Sequence, residues 1–193
     1  MSSSPSHPDA DSYAASGFGT KIHWGSRPAL LLIDICTAYW TPNSPLDTSS
    51  NPASTTALDH MKALLGAARE GGVPIFWTAV EYDADGEMAD AGVFWMKSKS
   101  LSVFRQGDER GLGGWVEGLI PGKGEVVVKK KYPSAFFGTD LLSQLVLKGV
   151  NTVVVCGVST SGCVRASVLD AMQYGFRPMV CSRDADCVFE CFG

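Results

Sequence analysis

The stretch NTVVVCGVSTSGCVRASVLDAMQY, residues 151–174, decides how this chain folds. Thr152, Val153, Val154 and Val155 form a β-branched run suited to a strand buried on both faces. Gly157, Ser159, Thr160, Ser161 and Gly162 then make a small polar turn. Past Cys163, the residues Val164, Val168, Ala171 and Met172 recur close to helical spacing. Cys163 therefore falls at a strand-to-helix turn, where helix N-terminal amides favour a thiolate. A lone cysteine in such a place is more often structural than reactive, so the rest of the chain must supply the partners of a nucleophile.

Working outward, the same alternation recurs. Residues 28–34, PALLLID, read as a buried parallel strand ending in an acid. Residues 41–52 are rich in Pro, Ser and Asn and read as a loop. In residues 53–70, Leu58, Met61, Leu64 and Leu65 share a helical face, stopped by Gly71 and Gly72. Strands are expected at 73–80 and 125–129, and a helix at 139–148 with Thr139 as its N-cap. A fifth strand follows in 175–181. Between the second and third strands, residues 81–122 make a long excursion with acids at Asp83, Asp85, Glu87 and Asp90 and an aromatic pair at Phe94 and Trp95. A short helix is expected near 114–119. A loop of that length inside a compact domain is usually functional or a partner surface. Strands alternating with helices imply an α/β fold: a three-layer αβα arrangement around a mostly parallel sheet, with right-handed crossovers.

Composition bounds the function. A chain of 193 residues with 45% apolar and 19% charged residues fits one globular domain. Residues 1–16 read as a disordered arm, and 17–193 as a single domain. A net charge of −4 leaves no footprint for nucleic acid or an anionic membrane. No apolar run reaches transmembrane length, and the N-terminus has no secretory signal pattern. No dinucleotide or P-loop fingerprint occurs. Among the six cysteines, Cys36, Cys156 and Cys181 sit inside apolar strand patterns, and no C-x-x-C or zinc spacing occurs. A reducing, cytoplasmic compartment is expected, with no metal and no cofactor.

Three ionisable residues fall at the ends of successive strands: Asp34, Lys130 and Cys163. In a parallel sheet these ends share one edge, the edge where ligands bind. Each residue alone has a bland reading, as a turn cap, one lysine of the run 129–131, or a core thiol. Their joint placement argues for a site. A thiol must lose its proton to attack a carbonyl. The histidines His7, His23 and His60 are poorly placed for that, in the arm, ahead of the first strand and on the first helix. Asp34 is the candidate base, and Lys130 as a cation favours the thiolate and the ionised acid. Backbone amides within 158–163 are candidates to stabilise an oxyanion.

These residues resemble the isochorismatase-like cysteine hydrolases, most closely the N-carbamoylsarcosine amidase-like branch. The resemblance is carried by LLIDICTAYWTPNSPLD (31–47), VEYDADG (80–86), AGVFWMKS (91–98), VVVKKKYPSAFFGTDL (126–141) and GVSTSGCVRASVLDAMQYGFRP (157–178), over residues 13–186. It implies Cys163 as nucleophile, Asp34 as general acid/base and Lys130, four residues before Ser134, as the catalytic lysine. It further implies a cis peptide at Val158–Ser159 that aims the Ser159 and Cys163 amides at one oxyanion. The implied reaction is hydrolysis of a small amide or N-carbamoyl compound through a thioester, by a dimer or tetramer. Phe18, Tyr39, Trp40, Phe94, Thr160 and Arg165 are candidates for the substrate pocket.

Two departures from the family pattern stand out. The metal-binding histidines of nicotinamidase-type relatives are absent from 81–86, so no metal is implied. The segment 184–193 diverges from the pattern, and the domain is expected to be shortened at its C-terminus. Val188 falls near the place of an arginine that helps hold substrate carboxylate in the amidase branch. Two alternatives stand beside the amidase reading: vinyl-ether hydrolysis of the isochorismatase type, against which Cys163 argues, and an inactive binding protein.

Overall fold

The structure, a computed structural model, describes residues 12, 15–17 and 22–181. Most of the N-terminal arm, the pocket candidate Phe18, Val188 and the cysteines Cys187 and Cys191 lie outside the described residues.

The centre is a five-stranded, all-parallel sheet of β1 (Pro28–Ile33), β2 (Ile75–Val80), β3 (Val126–Lys130), β4 (Thr152–Gly157) and β5 (Arg177–Val180), in the order β3-β2-β1-β4-β5. The most apolar runs take the middle. Ala29 to Ile33 of β1 and Val153 to Val155 of β4 are inaccessible to solvent, as strands covered on both faces must be. Period-two alternation splits the core into two layers. Leu31, Ile33, Phe76, Val153 and Val155 face α3 (Leu141–Leu147) and α4 (Arg165–Gln173). Leu30, Leu32, Trp77 and Val154 face α1 (Pro52–Glu70), which contributes Met61, Leu64, Leu65 and Ala68. The three-layer αβα arrangement expected from the sequence is therefore the observed one.

The start and stop of α1 follow from local chemistry. The Asn51 side chain accepts the Ala53 N–H at 3.0 Å and Pro52 opens the first turn, while Gly72 beyond the last turn takes φ +64°. Two local expectations are corrected. The α3 helix starts at Leu141 with Asp140 as N-cap. Thr139 instead uses its hydroxyl to reach back to the Ala135 carbonyl at 2.6 Å and to accept the Leu141 N–H at 3.3 Å. Residues 114–119 form no helix. Trp115 is drawn out as an antiparallel bridge partner of Cys36, its ring lies edge-on to Trp77 with centroids 5.5 Å apart, and Gly118 takes φ +79°.

The excursion 81–122 folds into a layer of its own. It carries α2 (Gly92–Lys97) and a 3-10 segment, Lys99–Phe104. Tyr82, Met88, Ala91, Leu101, Val103, Phe104 and Leu112 bury together with Cys36 and Ala38. Its return limb pins the chain just past β1, because Thr37 and Ala38 donate their N–H groups to the Gly114 and Leu112 carbonyls at 2.8 and 2.9 Å. The excursion thus holds residues 35–39 over the C-terminal ends of the strands.

Candidate active site

The strand order reverses direction between β1 and β4, so the crevice at their C-terminal ends is where an open parallel sheet offers a site. The segment leaving β4 is forced close to the end of β1. Gly157 has φ +128°, and a Cβ there would lie 2.2 Å from the Ile33 carbonyl oxygen, so only glycine fits. The Val158 N–H donates to that same carbonyl at 3.0 Å. Asp34, next after Ile33, is thereby set beside the turn that carries Cys163. The Val158–Ser159 peptide is cis.

Asp34 and Lys130 form a fully buried ion pair, Nζ to Oδ2 at 2.9 Å, with side chains 1% and 0% exposed. Lys130 stands two strands away from β1, a span of about 10 Å at the ordinary strand spacing, which calls for a long side chain. Lys130 Nζ also donates to the Tyr132 and Pro133 carbonyls, each at 3.2 Å, and interacts with the Cys163 side chain. The second carboxylate oxygen of Asp34 accepts the Thr78 hydroxyl at 2.6 Å, and the Thr78 oxygen accepts the Asp34 N–H at 3.0 Å. Asp34 itself has φ +53°, a region seldom occupied by residues other than glycine.

The Cys163 thiol interacts with both members of this pair. Burial pushes its pKa up to about 12, the Asp34 charge acts in the same direction, and the Lys130 charge opposes them. Burial is the largest of these influences, and the Lys130 cation acts against it. For Lys130, burial alone would lower the pKa, but Asp34 and Cys163 more than offset it and hold the ammonium above the ordinary lysine value. A thiol beside a carboxylate and a buried ammonium group is equipped for proton transfer coupled to attack.

The turn itself is not the N-terminus of a regular helix. Residues Thr160–Val164 wind as a π-type turn with a non-helical break at Gly162, and α4 begins at Arg165. The Gly162 and Val164 N–H groups both donate to the Ser159 carbonyl, at 3.1 and 3.2 Å, closing the turn on itself. Ser167, fully buried on α4, donates to the Cys163 carbonyl at 2.7 Å and accepts the Ala135 N–H at 2.9 Å. Ser134 donates to Asp170 at 2.5 Å. These two serine contacts join the Cys163 turn and α4 to the loop after Lys130. Sequence reading passed over Thr78, Ser167 and Asp170. The available signal was a hydroxyl in the apolar run IFWTAV and polar residues three or four positions apart after Cys163.

The pocket candidates separate. Burial, then the charges of Asp34, Cys36 and Cys163, hold the Tyr39 hydroxyl above the ordinary tyrosine value, and its ring packs with the excursion core. Trp40 donates its indole N–H to the Ser54 carbonyl at 3.1 Å and packs against the α1 layer. Phe94 is half-buried against the core of the excursion. Thr160 and Arg165 are exposed and, with Ser161, Val164, Val168 and Val180, line an open groove of about 510 Å³ beside the Cys163 turn. Among the described residues, no group of three or more His, Cys, Asp or Glu side chains is placed to hold a metal ion, and no helix is long and apolar enough to cross a membrane.

Known proteins align with this arrangement. The chain is 40% identical over 176 residues to a maleamate amidohydrolase of Pseudomonas putida, covering 91% of this chain and 76% of the relative. It is 35% identical over 176 residues to an N-carbamoylsarcosine amidase of an Arthrobacter species, covering 87% of this chain and 62% of that protein. A crystal structure of a cysteine hydrolase from Pseudomonas syringae superposes with a TM-score of 0.75 over 83% of this chain and 74% of the other, at 22% identity, a likeness of fold. The isochorismatase domain model matches residues 28–190, from the first residue of β1 to beyond β5. The chain belongs to the isochorismatase family.

Proposed function

We propose that the chain is a cysteine amidohydrolase that cleaves the C–N bond of a small amide or N-carbamoyl compound. The observation that carries this reading is the buried Lys130–Asp34 pair with the Cys163 thiol against it. The names of the two curated relatives, a maleamate amidohydrolase and an N-carbamoylsarcosine amidase, support the same bond type.

The chemistry follows from the protonation states. As Cys163 Sγ attacks the carbonyl carbon, its proton passes to Asp34, and the carbonyl oxygen gains the negative charge. The Ser159 and Cys163 amides are the donors assigned to that oxyanion. Collapse breaks the C–N bond, Asp34 returns the proton to nitrogen, and ammonia or an amine leaves an acyl thioester on Cys163. Water then gives a proton to Asp34 and attacks the thioester. The C–S bond breaks, and the proton ends on sulfur. Lys130 stays charged throughout and balances the charge that passes between sulfur and carboxylate.

The test is ammonia or amine release from a panel of N-carbamoyl amino acids, maleamate and nicotinamide, with isochorismate as the non-amide arm and Cys163→Ala as control. Turnover of an amide or carbamoyl compound that Cys163→Ala loses is the expected result. Turnover of isochorismate alone, or amide turnover that survives the substitution, overturns the reading.

A further inference from the structure

Thr78 supplies the only hydroxyl in the strand IFWTAV, and it has no exposed surface. Its hydroxyl serves one residue twice, donating to Asp34 Oδ1 at 2.6 Å and accepting the Asp34 N–H at 3.0 Å. A hydroxyl is suited to this because it donates and accepts at once. Asp34 needs such support at both ends. Its backbone sits at φ +53°, and its carboxylate would be free to swivel about Cβ–Cγ if Lys130 on Oδ2 were its sole contact. Contacts on both oxygens fix the carboxylate plane, and with it the direction of the lone pairs left for the sulfur.

We propose that Thr78 is a positioning residue for the reaction: it locks Asp34 in the turn after β1 and aims its carboxylate at the Cys163 thiol. This rests on the reading of Asp34 as the acceptor of the Cys163 proton. Loss of the hydroxyl should therefore disturb the geometry of proton transfer from Cys163.

The experiment compares Thr78→Val and Thr78→Ser with the unmodified chain by two readouts. One is the pH profile of Cys163 alkylation by iodoacetamide, followed by mass spectrometry, which needs no substrate. The other is kcat and KM on whichever panel compound is turned over. Thr78→Val is expected to lower kcat about ten- to hundredfold with little change in KM. Its Cys163 alkylation should be slower than that of the unmodified chain across the pH range, because the misaimed carboxylate takes the thiol proton less readily. Thr78→Ser, which keeps the hydroxyl and drops a buried methyl, should lose thermal stability yet retain the original profile. A Thr78→Val profile that coincides with that of the unmodified chain overturns the proposal, as does a Thr78→Ser profile displaced as far as that of Thr78→Val. If no compound in the panel is hydrolysed, the amidase reading fails separately, while the alkylation profiles still decide the role of Thr78.

Discussion

Lys129, Lys130 and Lys131 carry the same charge in consecutive positions, and each meets a carboxylate, yet their surroundings differ completely. Lys129 is 64% exposed and reaches Glu81 at 2.8 Å on the surface of β3. Lys131 is 40% exposed and bridges Asp83 and Asp90, at 3.3 and 2.6 Å. Lys130 and Asp34 have no appreciable exposure at all. The strand pleat makes the difference, because Val128 and Lys130 point inward while Val127 and Lys129 point to solvent. Exposed pairs of this kind contribute about 0–1 kcal/mol, whereas removing one member of a buried pair costs about 3–5 kcal/mol by stranding the other charge. A fold has little reason to bury such a pair for stability alone, since apolar residues of the same volume do as well or better. The contrast points to chemistry as the reason for Lys130.

The largest effect expected from that contrast is for Lys130→Met. It keeps the length of the side chain and leaves Asp34 unpaired, so unfolding free energy in urea should fall by about 3–5 kcal/mol. Hydrolysis should fall at least about a thousandfold. A Lys130→Met protein with near-normal turnover would break the distinction between the three lysines. Lys131→Ala should cost about 0.5–1 kcal/mol, because Asp90 is the less exposed of its two partners, and should change kcat less than about twofold. Lys129→Ala should be smallest, within about 0.5 kcal/mol and without effect on kcat. A loss of activity in Lys129→Ala comparable to that of Lys130→Met would reverse the assignment.

Alkaline pH sharpens the same site from another side. Burial raises the Cys163 thiol to about 12, and burial likewise raises Cys36 to about 12, both from an ordinary value of 9.0. Groups raised in this way bind their protons more tightly in the folded state. Their contribution to stability is complete below pH 9 and is lost as pH rises toward 12, where the unfolded chain releases protons that the folded chain still holds. Unfolding free energy measured from pH 8 upward should fall, and Cys36→Ala with Cys163→Ala should flatten that slope. An unchanged slope in the double variant would mean that neither thiol is held protonated by the fold.

Much of this was legible from pattern. A continuous apolar run such as Ala29 to Ile33 has few ways to be buried other than as a central parallel strand, and an acid directly after it lands at the sheet edge whatever the details. Which of three lysines turns inward follows from the register of β3, and there the pleat and the family resemblance agree on Lys130. What stayed hidden depends on contacts distant in sequence. Thr78 reads as an ordinary β-former until the turn after β1 is placed against it. The helix expected at 114–119 gave way to a strand-like bridge whose partner, Cys36, lies far back in the chain. The burial that raises the Cys163 thiol is a property of the packed environment and not of the local sequence. Thr139 was displaced by one position because its hydroxyl found the Ala135 carbonyl.

The central claim is that Cys163 carries the acyl group. The direct measurement is mass spectrometry of protein quenched in acid during steady-state hydrolysis of an amide or carbamoyl compound, with the peptide spanning 151–174 isolated. The account predicts an added mass equal to the acyl or carbamoyl group on Cys163, removed by hydroxylamine as a thioester is, and absent from Cys163→Ala. Steady hydrolysis by Cys163→Ala, or an adduct on a residue other than Cys163, would contradict it.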